Sequence, residues 1–594
     1  MSKKYFGKRP NYFYKNGEMR LNAKIIMNNI ISKEIPSNIL LDINIDRILS
    51  FFDDIYFEEK AELFEVDDST KLITEVKIKA GETPSYIFDK GVESISFIDY
   101  KDSNKYREIR IPNLLYYLSF IYNALLIREK LYNAIYKDID YNYSNSNILN
   151  DQELYQFINY DEIAIENEYY YRNLRENNKD FKNNLMKENF AEGTHIYYLT
   201  TDIESYYNNI YSHHYNMLKT QYPYKEVKDL IKFLEYLDIY NMRINHNQTK
   251  GIITGPLSSY ISAELLGIFL DSKIHEVINK NKKTTYIRYV DDMTFYSNDV
   301  AELEVILREV QNILKIYNLS IKEEKTKIDK GFKPRKESRI YEIFQEFPHL
   351  EHKYEKQVKY DDSIFYKVKR YIEVYISQNN FTQLKTFLSL MISNFKDTEV
   401  LMDRDILIQF VNYFLKLGHL YNNLQSRSYK LINELINHSS NKDREEVKQI
   451  LKDNTEHINN VHHDTIAQIW HYHLLNKLLN YNEKNIEFNM LIQYYERDKF
   501  KTDINPLVLI EFVTKSKKRN KKIFDYVWCK YLDSIENTDA CKDTISHSKW
   551  WIVLLTLRYK GDFKINNLDN LFFSKKNIKQ MKHLGVYEDF FKTT

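Results

Sequence analysis

The chain has 594 residues, 43% hydrophobic and 28% charged, which is enough apolar material for a sizeable core and too little charge for a disordered polyelectrolyte. Its 12 glycines and 9 prolines are far below average usage, so a sandwich, barrel or solenoid of short strands is disfavoured and long helices are expected. Lysine plus arginine (85) balances aspartate plus glutamate (84), which excludes a global positive field and confines any nucleic-acid surface to a local patch. Two cysteines, Cys529 and Cys541, exclude a disulfide framework and an all-cysteine zinc site. The longest near-apolar run, Trp550 to Leu557, falls far short of the roughly 20 residues that span a bilayer. Met1 to Tyr5 is basic with no apolar stretch behind it, so no secretory signal and no membrane association are expected, and the protein reads as soluble and intracellular. The 51 tyrosines accompany an excess of Asn, Lys and Ile, and read as the codon bias of an AT-rich genome rather than a collective role.

Residues 1 to about 90 give no motif. Ser94 to Tyr100 alternates, Lys101 to Lys105 is a polar turn, and Tyr106 to Pro112 alternates again, which predicts a β-hairpin over 94–112 with a basic tip. Leu114, Leu115, Leu118, Ile121, Tyr122 and Leu125 then fall at helical spacing, and Tyr136 to Asp151 reads as a polar loop. His195 to Thr201 predicts a buried strand, and Pro256 to Ile278 a helix whose first turn holds Gly255, Pro256, Ser258 and Ser259. Thr284 to Val290 and Met293 to Ser297 are two strands separated by Asp291-Asp292. Ala301 to Tyr317 is an amphipathic helix, and Leu319 to Ile328 holds a short strand-like piece. Beyond about Glu337 the pattern becomes helix after helix. Ile406, Phe410, Val411, Phe414 and Leu417 trace one apolar face, and Ile466, Ile469, Trp470, Leu474 and Leu478 another. An α-solenoid or helical array is expected, with a boundary in the charged stretch Lys333 to Tyr360.

Chemistry concentrates at Tyr289-Val-Asp-Asp292. Two adjacent carboxylates at the tip of a tight hairpin repel one another and give the strands nothing, a cost that a divalent cation resolves. Asp202, at the end of the strand from His195, would add a third oxygen donor to a cage of the kind Mg²⁺ prefers. Two such ions about 3.5–4 Å apart would activate a hydroxyl and stabilise a leaving pyrophosphate. Gly251 to Glu264 has glycines that let backbone approach a base or sugar, and a helix start with free N–H groups for phosphate. His462, His463, His471 and His473 form a separate cluster, read as structural, with His473 beside an apolar stripe and the others on helix surfaces.

The order of these pieces resembles the palm of reverse transcriptases. Arg107-Glu-Ile-Arg-Ile-Pro112 looks like the fingers motif, Asp202 with Tyr207 like motif A, the Gly251 segment like motif B, Arg288-Tyr-Val-Asp-Asp292 like motif C, and Leu319 to Thr326 like motif D. Together they cover roughly residues 95–330. Thr254-Gly255 in motif B, its continuation Ala263-Glu264-Leu265, and Tyr211-Ser212-His213 are similar to the bacterial abortive-infection (Abi), phage-defence reverse transcriptases. The resemblance implies an α+β right-hand fingers–palm fold joined to an all-α, HEAT-like C-terminal domain. Residues 1–190 would form the N-terminal region and fingers, 191–335 the palm, and 336–594 the helical domain.

The same resemblance implies a cytoplasmic bacterial nucleotidyltransferase that makes DNA from dNTPs with Mg²⁺ or Mn²⁺. Asp202, Asp291 and Asp292, with the Ile203 carbonyl, would hold the metals. Lys325 would be the general acid, Tyr207 the steric gate against ribonucleotides, Arg107 the triphosphate ligand, and Thr254 and Gly255 the pocket lining. It further implies untemplated synthesis with the product attached to a protein tyrosine, and a homo-oligomer. The alternatives are an RNA-templated enzyme copying an associated non-coding RNA, a non-catalytic nucleotide-sensing scaffold, and a general retroelement enzyme. Ile253 and Thr254 depart from the usual motif B proline and glutamine, and Lys327 to Tyr341 holds nothing like the primer-grip motif, which favours unusual priming. The C-terminal half lacks an arginine five residues before a histidine, so an appended ribonuclease motif is not expected. The absence of a cysteine-rich finger argues against a retroelement.

Overall fold

The computed structural model describes residues 91–130, 179–497 and 502–563, with breaks at 102–104, 222–223, 279–283, 334–339, 352–356 and 535–544 and at scattered single positions; residues 14–15, 18–19, 34–36, 64–70 and 72–76 are described as well. The expected hairpin is present as β1 (Ile95–Tyr100) and β2 (Tyr106–Ile111), antiparallel from Ile95 opposite Ile111 to Tyr100 opposite Tyr106. Its alternation places Ile95, Phe97, Ile109 and Ile111 in the core. Tip residues 102–104, the stretch 136–151 and Leu115, Leu118, Tyr122 and Leu125 lie outside the described residues. From Leu114 the chain is helical, with Tyr117, Phe120 and Ile127 fully buried.

Helix α1 (Lys179–Thr194) leads into a four-stranded antiparallel sheet of β3 (Tyr197–Asp202), β4 (Thr285–Tyr289), β5 (Asp292–Ser297) and β6 (Lys327–Lys330), ordered β6-β3-β5-β4. Period-two alternation sorts its two faces. Tyr198, Ile287 and Tyr296 bury with Ala191 of α1, while Leu199, Met293 and Phe295 join the main core. That core includes α2 (Lys228–Arg243), α3 (Leu257–Ile278) and α4 (Val300–Ile316). Helix α3 is apolar nearly all round and is accordingly buried nearly all round. Its small Ser258 and Ser262 let α2 approach, and they accept hydrogen bonds from Tyr240 Oη (3.0 Å) and Asn241 Nδ2 (3.1 Å).

Two local expectations are corrected. The strand-like piece at Leu319 to Ile328 is instead a 3₁₀ turn, Glu323–Lys325, followed by β6. The charged run Lys322 to Lys325 has no apolar face to offer a sheet, and only a single bridge, Ile203 to Ile321, forms before it. In the C-terminal half the helices are interrupted by a two-stranded parallel pair, Gln357–Tyr360 with Glu399–Met402.

The array itself comprises α5 (Asp362–Ser377), α6 (Phe381–Asp397), α7 (Arg404–Leu420), α8 (Gln425–His438), α9 (Asn441–Val461), α10 (Ile466–Leu478), α11 (Tyr481–Arg497), α12 (Lys517–Ser534) and α13 (Trp551–Tyr559). The two predicted stripes on α7 and α10 are its interior, with Phe410, Val411, Phe414, Ile466, Ile469 and Leu474 fully buried. Ser440 and Asp443 form a reciprocal capping box at the start of α9. His462 and His471 are buried rather than on helix surfaces, beside Gln425 and Thr455 respectively, and His473 pairs with Glu511 at 2.7 Å.

The array is bolted to the hairpin. Ile98 N donates to Asp464 O at 2.8 Å, extending β1 by a parallel bridge to Thr465. Asn505 caps the turn Pro506–Leu509 through Leu507 N, and its amide reaches Ser96 O at 2.9 Å. The open edge of β1 is thereby covered.

Candidate active site

The sheet register puts Asp202, the last residue of β3, opposite Asp292, the first of β5, with their carboxyls within hydrogen-bonding reach. Asp291 lies in the two-residue turn between β4 and β5, and its carbonyl accepts from Ile203 N at 3.0 Å. Asp202, Ile203, Asp291 and Asp292 are therefore brought together as the sequence predicted. Lys325 joins them from the 3₁₀ turn: its ammonium bonds Asp202 and lies 3.9 Å from Asp292.

The electrostatics follow from the crowding. Desolvation, then the charge of Asp291, then that of Asp202, push the Asp292 carboxyl up to about 6. Asp291 is raised by burial and by Asp202, with Lys325 and Lys101 opposing. Lys101, at the hairpin tip, thus faces the carboxylates, a residue for which the sequence offered only a basic turn. Burial works against the Lys325 charge, but its bond to Asp202 and the nearby carboxylates hold its pKa above the usual lysine range. Hard oxygen donors that raise one another's pKa fit a divalent cation. Among the described residues no closed cage of three or more metal-ligating side chains stands ready, and the Lys325 ammonium takes the cation's place beside Asp202.

The turn that carries Asp291 is strained. Val290 has φ +56°, at the first position of a two-residue hairpin turn that usually takes glycine, and it is β-branched. What holds it is Arg288, whose Nη1 donates to Val290 O at 2.8 Å. The rest of that guanidinium is clamped by α3. Asp271 accepts from Nε (2.8 Å) and Nη2 (2.8 Å), and Glu264 from Nη2 (2.9 Å) and Nη1 (3.1 Å). All three side chains are at most 2% exposed. Gly267 makes room: a Cβ there would lie 2.8 Å from the guanidinium. Arg288 and Glu264 were legible only as motif letters. The signal available for their role was two acids, Glu264 and Asp271, seven residues apart on an otherwise apolar helix, which require a buried cation.

The Gly251 segment docks on the strand-end turn through Ile252 N to Tyr207 O (2.9 Å) and Gly251 N to Ile210 O (2.8 Å). Tyr207 stands edge-on to Tyr206 and Tyr260, and its buried hydroxyl has no partner among the described residues. Thr254 O accepts from Arg110 N at 2.8 Å. Gly255, at φ +130°, would meet Ile109 at 3.0 Å with any Cβ, so glycine is what lets β2 lie against this loop. Arg107 is carried on the same strand, with its guanidinium on Asp99 at 2.6 and 2.9 Å. Ser212 and His213 start a short helix that is tied to buried Asp238 of α2 by His213 Nδ1 at 3.0 Å.

With this geometry in view, the comparisons are informative. A family model described as "Reverse transcriptase (RNA-dependent DNA polymerase)" matches residues 131–360. The chain therefore carries a reverse transcriptase domain, is a nucleotidyltransferase, and combines the fingers–palm fold with a helical C-terminal region. No curated protein matches. Among solved structures, telomerase from Candida albicans, in complex with a TWJ fragment of telomeric RNA, is 11% identical over 66% of this chain and 67% of its own, with TM-score 0.30. Apo telomerase from Candida tropicalis is 13% identical over 64% and 68%, with TM-score 0.28. Likenesses this faint carry no argument about activity. Among the described residues no helix is long and apolar enough to cross a membrane.

Removing the cation from the buried cluster leaves two carboxylates without a partner, so Arg288→Gln should cost about 3–5 kcal/mol of stability in denaturant titrations. Gly267→Ala should destabilise in the same assay by displacing the guanidinium. For Asp292, the folded pKa of about 6 lies above the unfolded value of about 3.9, so its contribution favours folding in acid and is lost as pH rises through 6. In chelator, Asp292→Asn should therefore unfold at a higher temperature than the parent at pH 7, and the gap should close towards pH 4.

Proposed function

We propose that this chain synthesises DNA from dNTPs at the Asp202–Asp291–Asp292 site, without a template and primed by a tyrosine of its own, in bacterial defence against phage. The observation that carries the polymerase reading is the meeting of three carboxylates from two strand ends, over a turn that the fold strains and clamps to hold in place. Asp202, Asp291 and Asp292, with the Ile203 carbonyl, would hold Mg²⁺ or Mn²⁺. Such ions, when bound, lower the pKa of an attacking hydroxyl and neutralise charge on the leaving pyrophosphate.

The protein's own groups do the rest. A cation at Asp202 competes for the carboxylate that now holds Lys325, freeing that ammonium to protonate the departing pyrophosphate. Tyr207 sets the floor under the sugar and excludes a 2′-hydroxyl. Thr254 and Gly255 bring the hairpin against the nucleotide pocket, and Arg107 exchanges part of its Asp99 contact for triphosphate oxygens. In this reading residues 1–190 act as N-terminal region and fingers, 191–335 as palm and 336–594 as a HEAT-like array, and the chain assembles as a cytoplasmic homo-oligomer.

Untemplated synthesis is supported by the near-zero net charge and by the Ile253 and Thr254 departures, which remove the usual contacts to a templated pair. The defence role rests on the motif B and Tyr211-Ser212-His213 likenesses. A second reading, RNA-templated synthesis on an associated non-coding RNA, is favoured by the description of the matching family model.

Labelled dNTPs incubated with nuclease-treated protein and Mg²⁺, without primer or template, separate the two. Label that migrates with the protein on denaturing gels and is released by protease supports untemplated, tyrosine-primed synthesis. Synthesis that appears only when RNA is restored supports the templated reading and ends the other. Asp291→Ala should lower incorporation at least about 100-fold, the scale of losing one electrostatic stabiliser, while the circular dichroism spectrum is unchanged. Tyr207→Ala should admit ribonucleotides, read as incorporation of labelled NTPs.

A further inference from the structure

The helical array sends two cations to the hairpin that the reverse transcriptase site has not accounted for. Lys385, on α6, donates its ammonium to Lys101 O at 3.2 Å, at the base of the hairpin tip. Arg427, near the start of α8, is held beside it by Nε bonds to Lys385 O and Ser389 Oγ, both 3.1 Å. Neither makes an ion pair among the described residues. The acids nearby are already engaged: Asp99 by Arg107, and Glu34 by Ser426 and by Lys430 at 3.2 Å. Lys101, whose carbonyl Lys385 holds, itself faces Asp291. The cations thus form a trail from the carboxylates, through the hairpin tip, into the array.

We propose that Lys385 and Arg427 bind the terminal phosphates of the incoming nucleoside triphosphate, so that the nucleotide site is shared between the hairpin and the helical array. The assignment rests on the polymerase reading of the carboxylate site and names a polyphosphate contact that lies outside the reverse transcriptase motifs. Like charges gathered in a half-buried place are costly in the absence of an anion, and a polyphosphate relieves that cost with charge-assisted hydrogen bonds. Burial, then Arg427, lower the Lys385 pKa, as this surplus of positive charge requires. A nucleotide with its α-phosphate at the carboxylates has its β- and γ-phosphates free to run along the tip towards Lys385, where a phosphodiester chain carries no such terminal charge.

The test is calorimetric titration of the full-length chain with inorganic tripolyphosphate, free of divalent cation, DNA and RNA. Lys385→Gln should weaken binding about tenfold or more, the cost of one charge-assisted bond, as should Arg427→Gln, while Lys385→Arg retains it. In the synthesis assay Lys385→Gln should raise KM for dNTPs and leave kcat nearly unchanged, a split that a purely structural role would not give. Unchanged tripolyphosphate affinity in a Lys385→Gln chain that unfolds at the parent's temperature overturns the proposal. So does a loss confined to labelled oligothymidylate binding, which would assign the cations to a nucleic-acid backbone. The calorimetric result does not depend on DNA synthesis. A chain that makes no DNA but needs Lys385 for tripolyphosphate refutes the polymerase reading and leaves the phosphate site standing.

Discussion

Everything at the carboxylate site depends on one guanidinium. Arg288 reaches from the strand before the turn into α3, where Asp271 and Glu264 enclose it away from water, and its remaining donor holds Val290 in a backbone conformation that valine avoids. A buried ion cluster is a poor source of net stability, since desolvation consumes most of what the Coulomb attraction returns. What it supplies here is position. With five donor contacts in a rigid fork, the guanidinium has one place to sit, and the turn bearing Asp291 is fixed relative to α3 and hence to the Gly251 loop that opens it.

A second constraint couples that rigid centre to the hairpin. Gly255 lets β2 lie directly on the Gly251 loop, and on the opposite edge β1 is hydrogen-bonded to the turn between α9 and α10. The hairpin is therefore held from both sides, by the sheet domain and by the array. Movement of Lys101 or Arg107 relative to the carboxylates requires one of these two seams to slide. The array is a structural wall of the site as well as an appendage to it.

The sequence revealed the parts with strong periodicity or a chemically costly pattern. The alternation over 94–112, the β-branched run ending at Asp202 and the Asp291-Asp292 turn are each forced by local physics, and each was legible. The apolar stripes of α7 and α10 were legible for the same reason. What escaped was set by contacts between distant segments. The role of Arg288 depends on Glu264 and Asp271, 24 and 17 residues away. Lys101 looked like a turn residue because its importance comes from facing Asp291. The 3₁₀ turn at Glu323–Lys325 was misread as strand because its backbone is shaped by Lys322 N bonding Asp202 O rather than by its own side chains. The parallel pair at Gln357–Tyr360 and Glu399–Met402 has strands of four residues, too short for alternation to speak.

The seam between Ile98 and Asp464 joins residues more than half a chain apart, and so does the bond from Asn505 to Ser96. On a ribosome, the hairpin emerges long before the residues that dock its edge have been made. At about 5–20 residues per second the interval is tens of seconds. Throughout it, the nascent chain presents an unpaired β1 edge and a sheet domain whose hairpin is held from one side only. The assembled site thus belongs to the finished translation product, and a ribosome that stalls within the array releases a chain whose exposed strand is open to pairing with its neighbours.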